Sequence, residues 1–348
     1  MTLKHLSRNL IGRVGAYLAV LLASVSLLVT PLLAKALIIS PLQIDLASDP
    51  GTTIGSTFSV YDDSDAPVTL YTQVQNFEAQ GEEGNPKFVN TKDGLVSWVS
   101  MPASVVAPAR SDVKIPFTVA VPKNAEPSGY FAGLFTSTTP PATDGSTNVS
   151  LGNRVGALLL FRANGDISEG ISILEFGTPG LQHLFSMLPI DFYYRFQNSG
   201  ADRIQPLGDL IIKNTFGFTT RILNANQVNG NVLPNSIRRF ETAWVAAGGN
   251  LNQPAAVMPE VKHLGFFSAA KTELTNFAFG MYTAHLNLAY GNVTAKSATA
   301  DFTFFVFPWQ LILIIVILLL IIFFSLRFFM KRYNRYIIEQ ANKARQVR

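Results

Sequence analysis

The chain has 348 residues, with 27 Lys+Arg against 23 Asp+Glu and no cysteine. Setting aside four basic residues before Leu37, and seven basic and one acidic residue beyond Leu326, leaves 16 basic against 22 acidic, so the formal +4 lives at the two ends. An acidic middle argues against a nucleic-acid partner, and the absence of Cys excludes a disulfide framework, leaving core burial to stabilise the chain.

Residues 1–36 read as a secretory leader. Lys4, Arg8 and Arg13 precede a long apolar stretch that ends in Ala34-Lys35-Ala36. Small residues at Ala34 and Ala36 fit the signal-peptidase rule and predict a mature start at Leu37, with an uncleaved anchor as the alternative.

From Leu37 to Phe307 no long pattern of helical period stands out. Runs rich in Val, Ile, Thr, Phe and Tyr alternate with Gly/Pro/Asn/Asp clusters, which is the pattern of strands and turns. Residues 37–165 supply "LIISPLQIDL", "TFSVYD", "PVTLYTQVQNF", "LVSWVSM", "VKIPFTVAV", "GYFAGLFTSTT" and "RVGALLLFRA". About seven short strands in such a length predict an immunoglobulin-like sandwich. Within it, "VPKNAEPSGYFAGLF" reads as a hairpin: Pro122, Asn124 and Pro127 make the turn, and Gly133 permits a close approach of a ring or backbone. Tyr130 and Phe131 are the candidate binding surface there, as an aromatic platform, against a packing role.

Residues 166–305 repeat the scheme and predict a second β-sandwich. In "MYTAHLNL", from Met281, polar and apolar positions alternate as on a half-buried strand. "GLQHLFSMLP" reads as a short helix or a loop over a sheet edge. Next, Val306 to Leu326 carries no charge and is long enough for a transmembrane helix. Trp309 marks one membrane interface, and Arg327, Lys331 and Arg332 mark the other, so residues 327–348 form a basic cytoplasmic tail. The expected class is all-β: two immunoglobulin-like β-sandwich domains in series plus one C-terminal transmembrane helix.

Chemistry is scarce. His183, His263 and His285 stand apart, with no metal-ligand spacing, no nucleophile elbow and no phosphate loop. Asp62, Asp63 and Asp65 are the best candidate for a Ca²⁺ ion, but no glycine or closing Glu completes a loop, and a solvated turn is the simpler reading. Glu78, Glu82 and Glu83 are assigned to a surface loop. No catalytic residue, cofactor or metal is expected.

The stretches "SPLQIDLASDPGTTIGSTFSVYDDSDAPVTLYTQV", "GLVSWV", "VPKNAEPSGYFAGLF" and "GALLLFRANG" resemble the N-terminal domain of the WxL-interacting surface proteins. That resemblance implies a leader, two immunoglobulin-like domains and one membrane helix. It also implies peptidoglycan binding by the first domain and protein binding by the second. By architecture alone the strand scheme is also similar to pilus-chaperone sandwiches. The resulting expectation is a non-enzymatic, single-pass type I protein of a bacterial surface, presenting its domains to cell wall (peptidoglycan) or to a surface protein. The alternative is a chaperone-like assembly factor acting by β-strand addition.

Overall fold

The computed structural model describes residues 36–140, 154–245, 265–291 and 296–346. Ala34 and His263 therefore lie outside the described residues. Ala36 is the first described residue, and its carbonyl accepts the N–H of Asp63 at 3.3 Å.

The first sandwich packs two sheets face to face. One has the order β1 (Leu37–Ser40), β3 (Thr53–Asp62), β8 (Ser111–Ala120), β6 (Val99–Ser100). The other runs β2 (Gln43–Ser48), β10 (Arg154–Ala163), β9 (Ser128–Ser137), β4 (Val68–Gln80), β5 (Asn85–Val89), with β7 (Ser104–Ala107) also on β4. Period-two alternation decides which residues face inward. On β8, Ile115, Phe117 and Val119 are buried while Lys114, Pro116 and Thr118 face solvent. On β10, Ala157, Leu159, Phe161 and Ala163 close the core from the opposite sheet. Each large side chain so buried contributes about 1.5–3 kcal/mol.

The first strand changes sheets part-way. β1 pairs antiparallel with β3, and β2 pairs parallel with β10. Between them lie Pro41, after a cis peptide bond, and the exposed Leu42. Proline has no N–H for either ladder, so the switch falls where pairing is interrupted anyway.

Two expected elements differ. "VPKNAEPSG" is a crossover and not a hairpin, because β8 belongs to one sheet and β9 to the other. The prolines deny ladder bonds, and the Tyr130 hydroxyl donates to the Glu126 carbonyl at 3.0 Å, fixing the corner in the manner of a tyrosine corner. "LVSWVSM" is not one strand: Leu95–Trp98 form a single helical turn, α1, before the short β6. Gly94 at φ 69° starts that turn, its carbonyl accepts the Ser97 N–H at 3.0 Å, and Leu95 drops into the core.

The second sandwich opposes β11 (Ile171–Gly177), β13 (Ile190–Asn198) and β16 (Ser236–Trp244) to a five-stranded sheet. That sheet has the order β12 (Leu184–Phe185), β18 (Lys296–Val306), β17 (Gly280–Tyr290), β14 (Leu207–Asn214), β15 (Thr219–Asn224). "GLQHLFSMLP" holds a 3-10 turn, and then β12 adds itself parallel to β18, covering that edge as a strand. On β17 the expected alternation is present, with Tyr282, Ala284, Leu286 and Leu288 inside. The core is aromatic: Phe304 lies 5.4 Å from Phe192 and 5.8 Å from Tyr282, and Tyr282 lies 4.9 Å from Trp244. Such pairs add about 0.5–1.5 kcal/mol beyond burial.

A helix that the sequence did not disclose, α2 (Phe266–Thr275), precedes β17. Its buried stripe is Ala269, Ala270 and Glu273, too weakly apolar to stand out as a period. The C-terminal helix α3 runs Trp309–Gln346, so Val306, expected to open the transmembrane segment, instead closes β18. Pro308 separates strand from helix, and the Ile312 N–H already bonds its carbonyl at 3.0 Å. Within α3, Trp309–Glu339 is long and apolar enough to cross a membrane, its most apolar 18-residue stretch having a mean hydropathy of 3.2 and nothing buried. Trp309, Arg327, Lys331 and Arg332 are all on this helix and exposed. The basic tail continues the same helix.

Candidate functional site

The two sandwiches are tied at an elbow by charged pairs that join residues far apart in sequence. Arg162 of β10 donates through Nε to Asp202 at 2.6 Å, and Asp202, between β13 and β14, is only 3% exposed. Arg203 reaches back to Asp45 of β2 at 2.5 Å. Glu82, assigned from sequence to a surface loop, receives two bonds from Arg195, at 2.8 and 2.5 Å, and its carbonyl takes the Arg239 N–H. Hydrogen bonding to Arg195 holds the Glu82 carboxyl below its usual range. Gly129 N–H to Ala201 carbonyl, 3.0 Å, completes the hinge side.

In the elbow lies a cleft of about 200 Å³, lined by Phe77, Pro86, Leu158 and Leu160 from the first sandwich and by Val228 and Arg238 from the second. Arg238 is its one cationic feature. Burial lowers the guanidinium's pKa, Nε has no hydrogen-bond partner, and Nη1 donates to the Asn231 carbonyl at 2.8 Å. No carboxylate lies within ion-pair distance of it among the described residues. A Cβ on Gly84 or Gly230 would come within 2.2 or 2.6 Å of the guanidinium carbon, so the two glycines form its cradle. Chemically this is a groove of mixed polarity, in which Gln43, Asn85, Asn229, Asn231 and Ser236 line the walls beside the apolar side chains and Arg238 is the one charged donor. A guanidinium among amide and hydroxyl groups suits a carbonyl or carboxylate.

The apolar lining continues outward over the exposed face of the six-stranded sheet. Phe77 meets Phe88 and Phe131 at 5.8 Å each, Phe88 meets Phe135 at 4.9 Å, and the Arg154 guanidinium lies over Phe135 at 3.6 Å. Gly133 is at the centre of this cluster. A Cβ there would lie 2.6 Å from a Phe135 ring carbon and 2.7 Å from one of Phe88. Gly133→Leu is expected to cost about 1–3 kcal/mol, read as a lower melting midpoint of the first sandwich by calorimetry. Wild-type melting would mean that the half-buried rings swing aside freely.

Tyr130 and Phe131 stand on opposite faces of β9. Tyr130 packs toward the core with its ring 4.3 Å from Trp98, and Phe131 belongs to the outer cluster with Phe77. A joint platform of the two does not form. The three aspartates diverge as well. Asp62 is buried and accepts the Ser64 N–H at 3.0 Å, while Asp65 pairs with Arg110 at 2.5 Å. Among the described residues no group of three His/Cys/Asp/Glu could hold a metal ion. His285 bonds Asp301 at 2.7 Å on the sheet surface, and His183 stacks 4.5 Å from Phe302.

Strand edges complete the site. The free side of β8 presents Asp112, Lys114 and Pro116, and the edge strand β5 carries Pro86 and Lys87, residues that discourage further pairing. β10 is different. β2 pairs with it only from Leu158 to Ala163, so beside Arg154, Val155, Gly156 and Ala157 one edge is open among the described residues. Ile38 and Leu42 flank the gap left by the strand switch, 57% and 70% exposed.

No family model and no curated protein matches the chain. Among solved structures it is similar to the class 5 fimbriae chaperone CfaA, at 13% identity over 76% of this chain and 98% of that one, with a TM-score of 0.38. The E. coli chaperone DraB is similar at 14% identity, 76% and 96% coverage and a TM-score of 0.31. A third is the CsuC-CsuE chaperone-tip adhesion subunit pre-assembly complex from Acinetobacter baumannii: 13% identity, 59% and 89% coverage, TM-score 0.31. At that depth of likeness they carry no argument about what this chain binds.

What sequence reasoning missed is the elbow itself. Glu82 and Arg162 stood out little because their partners come from the other sandwich, and Arg238 because the cleft around it is built from both. The one available hint was chemical: "GEEGNP" puts Glu82 between turn glycines, a placement that suits a projecting carboxylate.

Proposed function

We propose that this chain is a non-enzymatic, membrane-anchored surface protein that binds an extended segment of another surface protein by adding it as a strand along β10. The observation that carries the reading is the open edge Arg154–Ala157, apolar from Val155 on and with the Arg154 guanidinium laid over Phe135, while Ile38 and Leu42 are exposed and the other edges carry Pro and charge. Backbone pairing would supply affinity there, and the aromatic outer face and cleft would receive alternate side chains. Anchoring rests on α3, with the leader cleaved after Ala36, the sandwiches outside and the basic tail inside. Membership in the WxL-interacting family, and with it peptidoglycan as ligand, belongs to this proposal only through the N-terminal stretches quoted above.

Photo-crosslinking in cells tests it, with the crosslinker at Arg154 or at Lys114, and with purified sacculi offered in parallel. Crosslinks at Arg154 to one short contiguous segment of a surface protein, lost with Leu42→Asp, are expected. Equal crosslinking at Lys114, or retention on sacculi that Leu42→Asp leaves intact, would overturn strand addition.

A further inference from the structure

The end of the second sandwich from which α3 departs is lined with aromatic side chains that the core does not use. They come from separate elements. Phe216 and Phe218 sit on the turn between β14 and β15, Phe267 on α2, Phe279 before β17, Phe307 after β18 and Trp309 at the first residue of α3. All are exposed, Phe216 at 82% and Phe267 at 79%. The β14–β15 turn is held in shape by Asn214, whose Oδ1 accepts the N–H groups of Phe216 at 3.1 Å and Phe218 at 3.0 Å. The two rings are therefore presented outward by a built turn.

Topology puts these residues at one level. β14 ends at Asn214, β17 begins at Gly280 opposite Val306, and Thr215 bonds the Met281 carbonyl at 2.9 Å. The level is fixed relative to the helix too. The Leu311 N–H donates to the buried Glu273 carboxylate of α2 at 2.7 Å, and Phe266 lies 5.8 Å from Trp309. A carboxylate on the free N–H groups of a helix start is a favourable, directional contact. The base of the sandwich thus lies within one helical turn of the first residue of the apolar segment.

We infer that this aromatic rim inserts into the interfacial layer of the bilayer, so that the second sandwich rests on the lipid surface instead of hanging from its helix. The inference rests on the membrane-anchored reading proposed above. Continuity with α3 selects lipid as the occupant. Wherever the apolar helix enters hydrocarbon, a rim attached rigidly at its first turn must meet the headgroup region, where aromatic rings are favoured. The elbow then fixes the first sandwich, and β10 with it, at a set height and tilt above the membrane.

The chain's lack of cysteine makes single-site spin labelling direct. Labels are placed by Phe216→Cys, Phe267→Cys, Lys114→Cys and Leu318→Cys in the full chain, in phosphatidylethanolamine–phosphatidylglycerol vesicles, and collision with oxygen and with a water-soluble nickel chelate is measured. Labels at Phe216 and Phe267 are expected to meet oxygen readily and be shielded several-fold from nickel relative to Lys114, with Leu318 shielded most. Water-like labels at Phe216 and Phe267 with Leu318 still in hydrocarbon would overturn the docking and leave the anchor standing. A water-exposed Leu318 would overturn both. Shielding of Phe216 and Phe267 from both reagents would mean that protein, and not lipid, covers the rim, and would also overturn the inference.

Discussion

Replacing Arg162 with methionine is expected to destabilise the protein by about 3 kcal/mol, because it leaves the buried Asp202 carboxylate short of its best partner. Arg162 reaches Asp202 with Nε at 2.6 Å and Nη2 at 2.5 Å from across the elbow. Arg203 softens the loss: its own N–H donates to Asp202 Oδ1 at 2.7 Å, though its guanidinium stands at 3.8 Å. Methionine keeps most of the packing of the stem while removing charge and donors. Because the pair joins the two sandwiches, the change should also broaden a label-to-label distance distribution measured across the elbow. Adding Asp202→Leu to Arg162→Met should restore much of the stability, since the cost lies in a carboxylate stranded away from water. A single variant with unchanged denaturation and unchanged interdomain distances would show that the pair does not hold the elbow.

That pair also shows where the sequence stops being informative. Alternation along one strand reports which side chains face inward, and the run from Met281 to Leu288 did so correctly at Tyr282, Ala284, Leu286 and Leu288. Alternation contains nothing about which strand lies alongside. Hence "VPKNAEPSG" looked like a hairpin turn when it carries the chain from one sheet to the other. Prolines mark a break in pairing, but a hairpin and a sheet change break it alike. α2 was hidden for a different reason: its inward face is alanine and one glutamate, so little apolar contrast separates its two sides. At the elbow the difficulty is separation. Arg162 and Asp202 are 40 residues apart and Arg195 and Glu82 are 113, and nothing local distinguishes such charges from solvated ones. The open edge of β10 was equally out of reach, because it depends on where β2 begins, at Gln43 opposite Leu158.

Glycines make the same point and lead to the second large effect. Gly133 was visible in sequence as a strand glycine among aromatics, and ring edges do crowd it. Those rings are half-buried and able to give, which keeps the expected cost of a side chain there modest. Gly208 lies near the start of the run "PLGDLIIKNT". In the structure it sits inside β14 at φ 148°, opposite Leu288 of β17. A Cβ there would lie 2.0 Å from the Asn287 carbonyl oxygen and 3.1 Å from the Leu288 Cα, so the obstacle is backbone in a paired strand. Relief requires separating β14 from β17 or forcing the residue out of its glycine-only conformation, about 1–3 kcal/mol for each. Gly208→Ala is therefore expected to cost about 3 kcal/mol or more, well above Gly133→Leu despite adding only a methyl group. The readout is a melting midpoint for the second sandwich, with hydrogen exchange locating the loss at β14 and β17. If Gly208→Ala melts like wild type while Gly133→Leu does not, the close approach of these two strands is wrong and the register of the five-stranded sheet must be redrawn around it.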